Sequence, residues 1–141
     1  MKGTCGWFGS VENGENIIRE MASSLGSNEK GILGRNGGLA GCSSGETASY
    51  QGVVAAISGH PRFGSGLDEV AEREGIANAL IRLYLEHGEK AFEAISGDFS
   101  AAIIDERDGS VILAIDRLGI GRMNYSARGE GLVFGSSLDS I

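Results

Sequence analysis

The sequence predicts an α+β protein in which strands and helices form separate layers, and a few strong local patterns carry that prediction. Gln51–Ser58 (QGVVAAIS) is a continuous apolar run of strand length. Ile76–Glu86 carries apolar residues at three- and four-residue spacing, which is typical of a helix. Phe99–Asp105 and Ser110–Asp116 are apolar runs joined by an Asp-Gly turn, which predicts a hairpin. Strands, then helices, then antiparallel strands indicate layered α+β packing.

Weaker signals complete the element order. The stretch Ser27–Ser49 is crowded with Gly, Ser and Asn, so we expect loops there with room for one short strand around Gly38–Cys42. The remaining predicted elements are a first strand at Cys5–Gly9, a helix at Glu15–Leu25, a helix at Leu67–Glu74, and a second hairpin from Met123–Ala127 and Gly131–Ser136.

Composition and charge exclude several classes of protein. The chain has 141 residues, which suits one domain spanning 1–141, and a formal net charge of −7. An acidic chain without a basic stripe argues against nucleic-acid binding, and no Lys/Arg cluster suggests a membrane surface. No apolar run approaches the roughly 18 residues of a membrane span. Two cysteines are too few for a disulfide framework, so we expect a reduced, cytoplasmic setting.

Three segments resemble a known family. Ile95–Ile141 looks like the end of the glutaminase domain of asparagine synthetases, with its patterns L-x-G-x-F-A-F-A-x-x-D, A-R-D-x-x-G-x-x-P-L-Y-Y and F-A-S-E. Cys5–Gly9 (CGWFG) resembles the C-G-I-x-G start of that family, and Ala56–Phe63 (AISGHPRF) lies where the family has V-x-N-G-E-I-Y-N. The matching positions in the last segment are Gly97, Phe99, Asp105, Asp116, Arg117, Gly119, Ile120, Tyr125, Phe134 and Ser136.

The resemblance is to type-2 glutamine amidotransferases, which are N-terminal-nucleophile hydrolases. It implies a four-layer αββα sandwich of two antiparallel sheets, with Cys5 as nucleophile and its own α-amine as base. An α-amine titrates near pH 7.7–8, so it can take a thiol proton at working pH. While Met1–Thr4 is attached, the nitrogen of Cys5 is an amide, so the resemblance makes this tetrapeptide a candidate propeptide that is removed autocatalytically.

The resemblance also assigns candidate binding groups. Ser58 and Gly59 occupy the positions of the family's oxyanion-hole Asn and Gly. The R-G-P-D segment that holds the glutamine carboxylate in the family is absent, since Ser27–Lys30 reads SNEK, and Ala77 and Asn78 lie roughly where an Asp should bind the α-amine. Arg35 and Asp68 are candidate substitutes. His60 is either a polar group at the site mouth or a surface-turn residue.

The implied activity is hydrolysis of the glutamine side-chain amide, supplying ammonia to a synthetase-like domain or subunit that lies outside these residues. Two alternatives stay open: a catalytically degenerate domain that serves as a structural or protein-binding module, and a self-processing hydrolase for another small amide. Gly34–Gly41 (GRNGGLAG) superficially suggests a phosphate loop but lacks the G-K-[ST] motif. No cofactor and no metal site are expected. Homo-oligomerisation is left open. Asp116 and Arg117 are either a binding pair or, as we expect, an ion pair that stabilises a turn at a strand end.

Overall fold

The computed structural model describes residues 3–8, 29–35, 38–43, 45–64, 66–128 and 131–135. Within these ranges the chain forms nine strands, two α-helices and one 3₁₀ helix. In chain order they are β1 (Gly3–Phe8), β2 (Glu29–Arg35), β3 (Gly38–Ser43), β4 (Gly45–Tyr50), β5 (Val53–Gly59), α1 (Leu67–Glu74), α2 (Ile76–His87), the 3₁₀ helix (Gly88–Ala94), β6 (Phe99–Asp105), β7 (Ser110–Ile115), β8 (Asn124–Arg128) and β9 (Gly131–Gly135).

The strands form two antiparallel sheets. Sheet A has the order β2-β3-β1-β9-β8 and sheet B has the order β4-β5-β6-β7. Strand β1 lies at the centre of sheet A, between β3 and β9. It also packs across the sandwich on β5 and β6, the two inner strands of sheet B. Strand β1 is therefore held by neighbouring strands on both sides and by sheet B across the core.

Sheet B is apolar on both faces because both faces are covered. Alternate side chains of β5 and β6, from Val54, Ala56, Ala102 and Ile104, meet Phe134 of sheet A in one buried cluster. The intervening side chains, from Val53, Ala55, Ile57, Ala101 and Ile103, join a second cluster with the helices. A strand covered on both faces reads as a continuous apolar run and not as an alternating one, which explains the QGVVAAIS pattern.

Helices α1 and α2 form the layer outside sheet B. Gly75 separates them, and α2 buries Ala77, Ala79, Leu80, Ile81, Leu83 and Tyr84. Glu46 of β4 accepts a hydrogen bond from the backbone N–H of Ala77, with Oε2 at 3.2 Å, so a carboxylate satisfies the positive end of α2. None of the helices in the described ranges has the length and apolar character needed to cross a bilayer.

The predicted α+β sandwich of two antiparallel sheets is confirmed. Helix α1 and strand β6 have the predicted bounds. The prediction of one short strand within Ser27–Ser49 is wrong, because β2 and β4 also lie in or across that stretch. These are edge strands that gain their pairing from β3 and β5, so tertiary contacts override a loop-like composition. The predicted helix Glu15–Leu25 lies outside the described residues.

Candidate active site

Cys5 lies on the central strand of sheet A. Its backbone is opposite Gly41 of β3 on one side and Gly135 of β9 on the other. The residue is fully buried, as is Thr4 before it. The junction between Thr4 and Cys5 therefore lies inside a paired strand, at the point where β1 crosses sheet B.

Side-chain alternation places Thr4 and Cys5 on opposite faces of sheet A. The Thr4 hydroxyl contacts Ser100 of sheet B, and Gly6 lies opposite Phe134, whose side chain also faces sheet B. Because successive side chains of a strand point to opposite faces, the Cys5 side chain lies on the face of sheet A that is turned away from sheet B. In the chain that retains Met1–Thr4, the thiol thus points away from the inter-sheet space.

Ser58 and Gly59 end strand β5, beside the start of β6. The Ser58 side chain is buried and faces sheet A, with its hydroxyl oxygen 2.9 Å from that of Ser100. Ser100 in turn lies 3.4 Å from Thr4 Oγ1. The strand that carries Cys5 and the strand that carries Ser58 and Gly59 are therefore joined through one buried chain of hydroxyl groups.

The backbone N–H of Gly59 is directed away from β6. His60 N–H donates to the carbonyl of Asp98 at 2.7 Å, and Gly59 is paired with Phe99. In an antiparallel ladder hydrogen-bonded pairs alternate with unbonded ones, so Gly59 and Phe99 form an unbonded pair. Phe99 accordingly uses its own backbone groups with Asp116. The Gly59 N–H points to the β4 side of β5, where it is not part of the β5–β6 ladder.

Gly59 must be glycine for two reasons. Its φ is +106°, in the left-handed region, and a Cβ there would collide with the carbonyl oxygen of Asp98 and come within 2.9 Å of Phe99 Cα. Both contacts are with backbone, which cannot move aside as a flexible side chain could. The fold therefore fixes a glycine at this strand end.

Ser100 and Thr4 are the members of this cluster that sequence reasoning missed. Ser100 is 4% exposed and Thr4 is fully buried. The signal for Ser100 was a single hydroxyl inside the apolar run FSAAIID, since a polar residue in a buried strand needs a partner. No local pattern could show that this partner is 96 positions away in the sequence.

The predicted substrate-binding residues lie at different distances from this cluster. His60 directly follows Gly59 and has a 74% exposed side chain, with Nδ1 3.3 Å from Asp98 Oδ2. Arg35 lies at the end of β2, opposite Gly38, which is also opposite Phe8. That register puts its backbone about 10 Å along the strands and about 10 Å across the sheet from Cys5. Its side chain is outside the described residues.

Asp68 has a local structural role. Its carboxylate accepts hydrogen bonds from the backbone N–H groups of Phe63, at 2.8 Å, and Gly64, at 3.2 Å. These contacts fix the loop that leads into α1.

Asn78, on α2, donates a hydrogen bond from its side-chain amide to the carbonyl of Glu74 at 2.7 Å. It also lines a surface groove of about 540 Å³ with Arg82 and Leu85, on the helix side of sheet B and thus away from Ser58.

Asp116 organises the loop after β7. The prediction that Asp116 forms an ion pair with Arg117 is wrong, because the two side chains have other partners. The buried Asp116 carboxylate accepts backbone N–H groups from Phe99 at 3.4 Å, Ile120 at 3.0 Å and Gly121 at 2.5 Å. These hydrogen bonds, that of Gly121 above all, hold its pKa below the usual range. Arg117 instead donates to the carbonyl of Glu93 at 2.9 Å. Backbone donors replace the cation because the loop wraps around the carboxylate.

These features define a class of protein, an α+β sandwich of two antiparallel sheets. A buried cysteine lies on the central strand of one sheet, and a glycine ends an inner strand of the other. The family described as glutamine amidotransferase domain matches residues 39–141. The chain belongs to this family, as a type-2, N-terminal-nucleophile domain of the asparagine synthetase type. The family resemblance is thus confirmed, and the matched residues include two of the three sequence segments, Ala56–Phe63 and Ile95–Ile141.

The relatives and the solved structure agree on this placement. Asparagine synthetase 3 of Bacillus subtilis (strain 168) is 31% identical over 70 residues, or 50% of this chain and 11% of the relative. An asparagine synthetase of Brassica oleracea is 24% identical over 117 residues, or 81% and 18%. Glutamine phosphoribosylpyrophosphate amidotransferase from B. subtilis, complexed with ADP and GMP, matches the fold with a TM-score of 0.69 at 16% identity, over 98% of this chain and 42% of that one. The chain spans less than a fifth of these synthetases.

Proposed function

We propose that this domain hydrolyses the side-chain amide of glutamine, with Cys5 as nucleophile, after Met1–Thr4 has been removed. The observation that carries the proposal is the approach of the two strands. The hydroxyl of Thr4, directly before Cys5 on β1, contacts that of Ser100, which in turn contacts that of Ser58, next to Gly59 at the end of β5. This brings the candidate nucleophile to the strand end that carries the candidate oxyanion donors.

The chemistry requires a base, a nucleophile and donors for the tetrahedral intermediate. The freed α-amine of Cys5 takes the thiol proton, and the thiolate attacks the amide carbon. The oxygen of that carbon becomes an oxyanion, to which the Gly59 N–H and the Ser58 hydroxyl donate. The intermediate collapses, the nitrogen leaves as ammonia with the proton returned by the α-amine, and water then hydrolyses the thioester to glutamate.

Removal of the tetrapeptide does two things in this scheme. It converts the Cys5 nitrogen from an amide into an amine, and it frees the first residue from the strand segment that precedes it. In the uncleaved chain the Thr4 side chain points from sheet A toward sheet B, so the Cys5 side chain faces away from Ser58. A terminal Cys5 no longer has that neighbour, so the end of the strand can rotate and bring the thiol toward the Gly59 end of β5.

Ammonia released by this domain needs a second active site that consumes it. The matched relatives are named glutamine-hydrolysing asparagine synthetases, and the chain covers only 11% to 18% of their length. The proposed partner is accordingly a synthetase-like domain or subunit that consumes the ammonia. The His60 side chain, exposed directly after Gly59, is the proposed polar contact for the substrate at the mouth of the site.

Intact mass spectrometry of the full chain tests the proposal. We expect the wild-type protein to lose Met1–Thr4 with time and then to release glutamate from glutamine, while Cys5→Ala does neither. Cys42→Ala is the matched control, since it removes the other thiol and should leave both events unchanged. If the wild-type chain keeps its full mass, the Cys5 nitrogen remains an amide and cannot act as the general base. That outcome would contradict the proposal.

A further inference from the structure

The hydroxyl groups of Thr4, Ser100 and Ser58 form a buried chain between the two sheets. Ser100 lies in the middle, 3.4 Å from Thr4 Oγ1 and 2.9 Å from Ser58 Oγ. All three residues are at most 4% exposed. An unpaired buried hydroxyl is costly, whereas one that is bonded on both sides is tolerated. The neighbours of Ser100 on β6, Phe99 and Ala101, are apolar, so Ser100 is a polar residue within an apolar part of the strand.

Removal of Met1–Thr4 would empty one end of this chain. The Thr4 side chain is fully buried, so its loss leaves a small enclosed space beside Ser100. The nitrogen of Cys5 is only a few covalent bonds from Thr4 Oγ1 and becomes the terminal amine at the edge of that space. The amine is therefore the polar group best placed to replace the Thr4 hydroxyl.

We propose that Ser100 is a positioning residue for the α-amine of Cys5. After processing, the Ser100 oxygen accepts a hydrogen bond from the amine in place of its contact with Thr4. This inference rests on the proposed function, because the amine exists only once Met1–Thr4 has gone. It adds a residue that neither the sequence motifs nor the family resemblance pointed to.

Each hydroxyl has one proton to donate and can also accept, so the two contacts of Ser100 are compatible with either direction of donation. In the proposed arrangement Ser100 donates its proton to Ser58 and its oxygen accepts from the amine. Ser58 then has its proton available for the oxyanion beside Gly59. The amine keeps its lone pair for the thiol proton of Cys5. One chain thus orients the base at one end and an oxyanion donor at the other, and polarisation along it strengthens both.

This arrangement predicts a pH effect. An acceptor next to the amine favours its charged form, so Ser100 raises the pKa of the amine and its removal should lower it. The other titratable groups on or next to the sheet B strands packed against β1 are His60 after β5, Asp98 before β6, Asp105 at the far end of β6, and Asp116 after β7. Of these, Asp116 is held by backbone amides. Strand β3 contributes Cys42 and β9 contributes none.

The experiment follows the full chain through processing and then measures glutamate release against pH. In Ser100→Ala we expect kcat to fall about tenfold with KM unchanged, because only part of the base's contribution is lost. The acid limb of kcat/KM should move to lower pH. Ser100→Thr, which keeps the hydroxyl, should restore the wild-type profile. Thr4→Val is the matched control: once processed it has the wild-type sequence, so its kinetics must be those of wild type.

Two failures are distinguishable. If wild type processes and hydrolyses glutamine while a folded Ser100→Ala keeps the same kcat and the same acid limb, this inference is overturned and the proposed function stands. If wild type never loses Met1–Thr4, both are overturned. Should Ser100→Ala fail to fold, Ser100→Cys keeps the side-chain volume with a much weaker acceptor and is judged by the same two outcomes.

Discussion

Replacing Gly59 by alanine perturbs the one strand end that the proposed chemistry depends on. The backbone there has φ +106°, and the new Cβ would collide with the carbonyl oxygen of Asp98 and lie 2.9 Å from Phe99 Cα. Gly64 offers a matched control, because its φ is +64° but a Cβ there would have nothing within 4 Å. Both variants place alanine at a positive φ, but only Gly59→Ala adds a collision with backbone atoms.

The magnitudes separate the two effects. A non-glycine residue in the left-handed region costs about 1–2 kcal/mol, and forcing a methyl group into a packed site costs about 1–3 kcal/mol more. Alanine also reduces the freedom of the unfolded chain, which returns about 0.4–1 kcal/mol. We therefore expect Gly59→Ala to lower the free energy of unfolding by about 3 kcal/mol and Gly64→Ala by about 1 kcal/mol or less.

Urea denaturation of both variants beside wild type measures these differences directly. The midpoint should fall far more for Gly59→Ala, and its glutamate release, if the chain is processed, should fall as well because the displaced N–H no longer meets the oxyanion. Equal losses for the two variants would show that the Asp98 carbonyl does not confine this position. Position 59 would then not require glycine, contrary to our prediction.

Two further predictions concern buried carboxylates. The Arg107 side chain above all holds the pKa of Asp105 at about 2 instead of 3.8, with Tyr84 donating at 2.8 Å. This contributes up to about 2 kcal/mol of stability above pH 3.8, lost as pH falls through 2. Urea midpoints at pH 6 and pH 2.5 should differ less for Asp105→Asn than for wild type; an equal difference would refute this. Asp116→Asn should speed hydrogen exchange at Gly121 about tenfold or more, since the amide loses an ionised acceptor. Unchanged exchange would mean the carboxylate does not hold the loop.

Elements with strong local signals were predicted well. The predicted bounds of helix α1 and strand β6 are confirmed, because helical periodicity and an Asp-Gly turn depend on only a few neighbouring residues. The edge strands β2 and β4 were missed, since their pairing depends on β3 and β5 and their own residues resemble a loop. The family resemblance supplied the sandwich architecture that the local patterns alone left open.

The candidate site divides in the same way. By itself the sequence determined the fold class, the family and the candidates Cys5, Ser58 and Gly59, because these depend on residue types in short local patterns. Only the tertiary structure decided that Ser100 joins Thr4 to Ser58, that the Cys5 side chain faces the other side of sheet A, and that the Gly59 N–H points away from β6. Those facts arise from strand register and sheet packing between segments 42 and 96 positions apart, which no local pattern encodes.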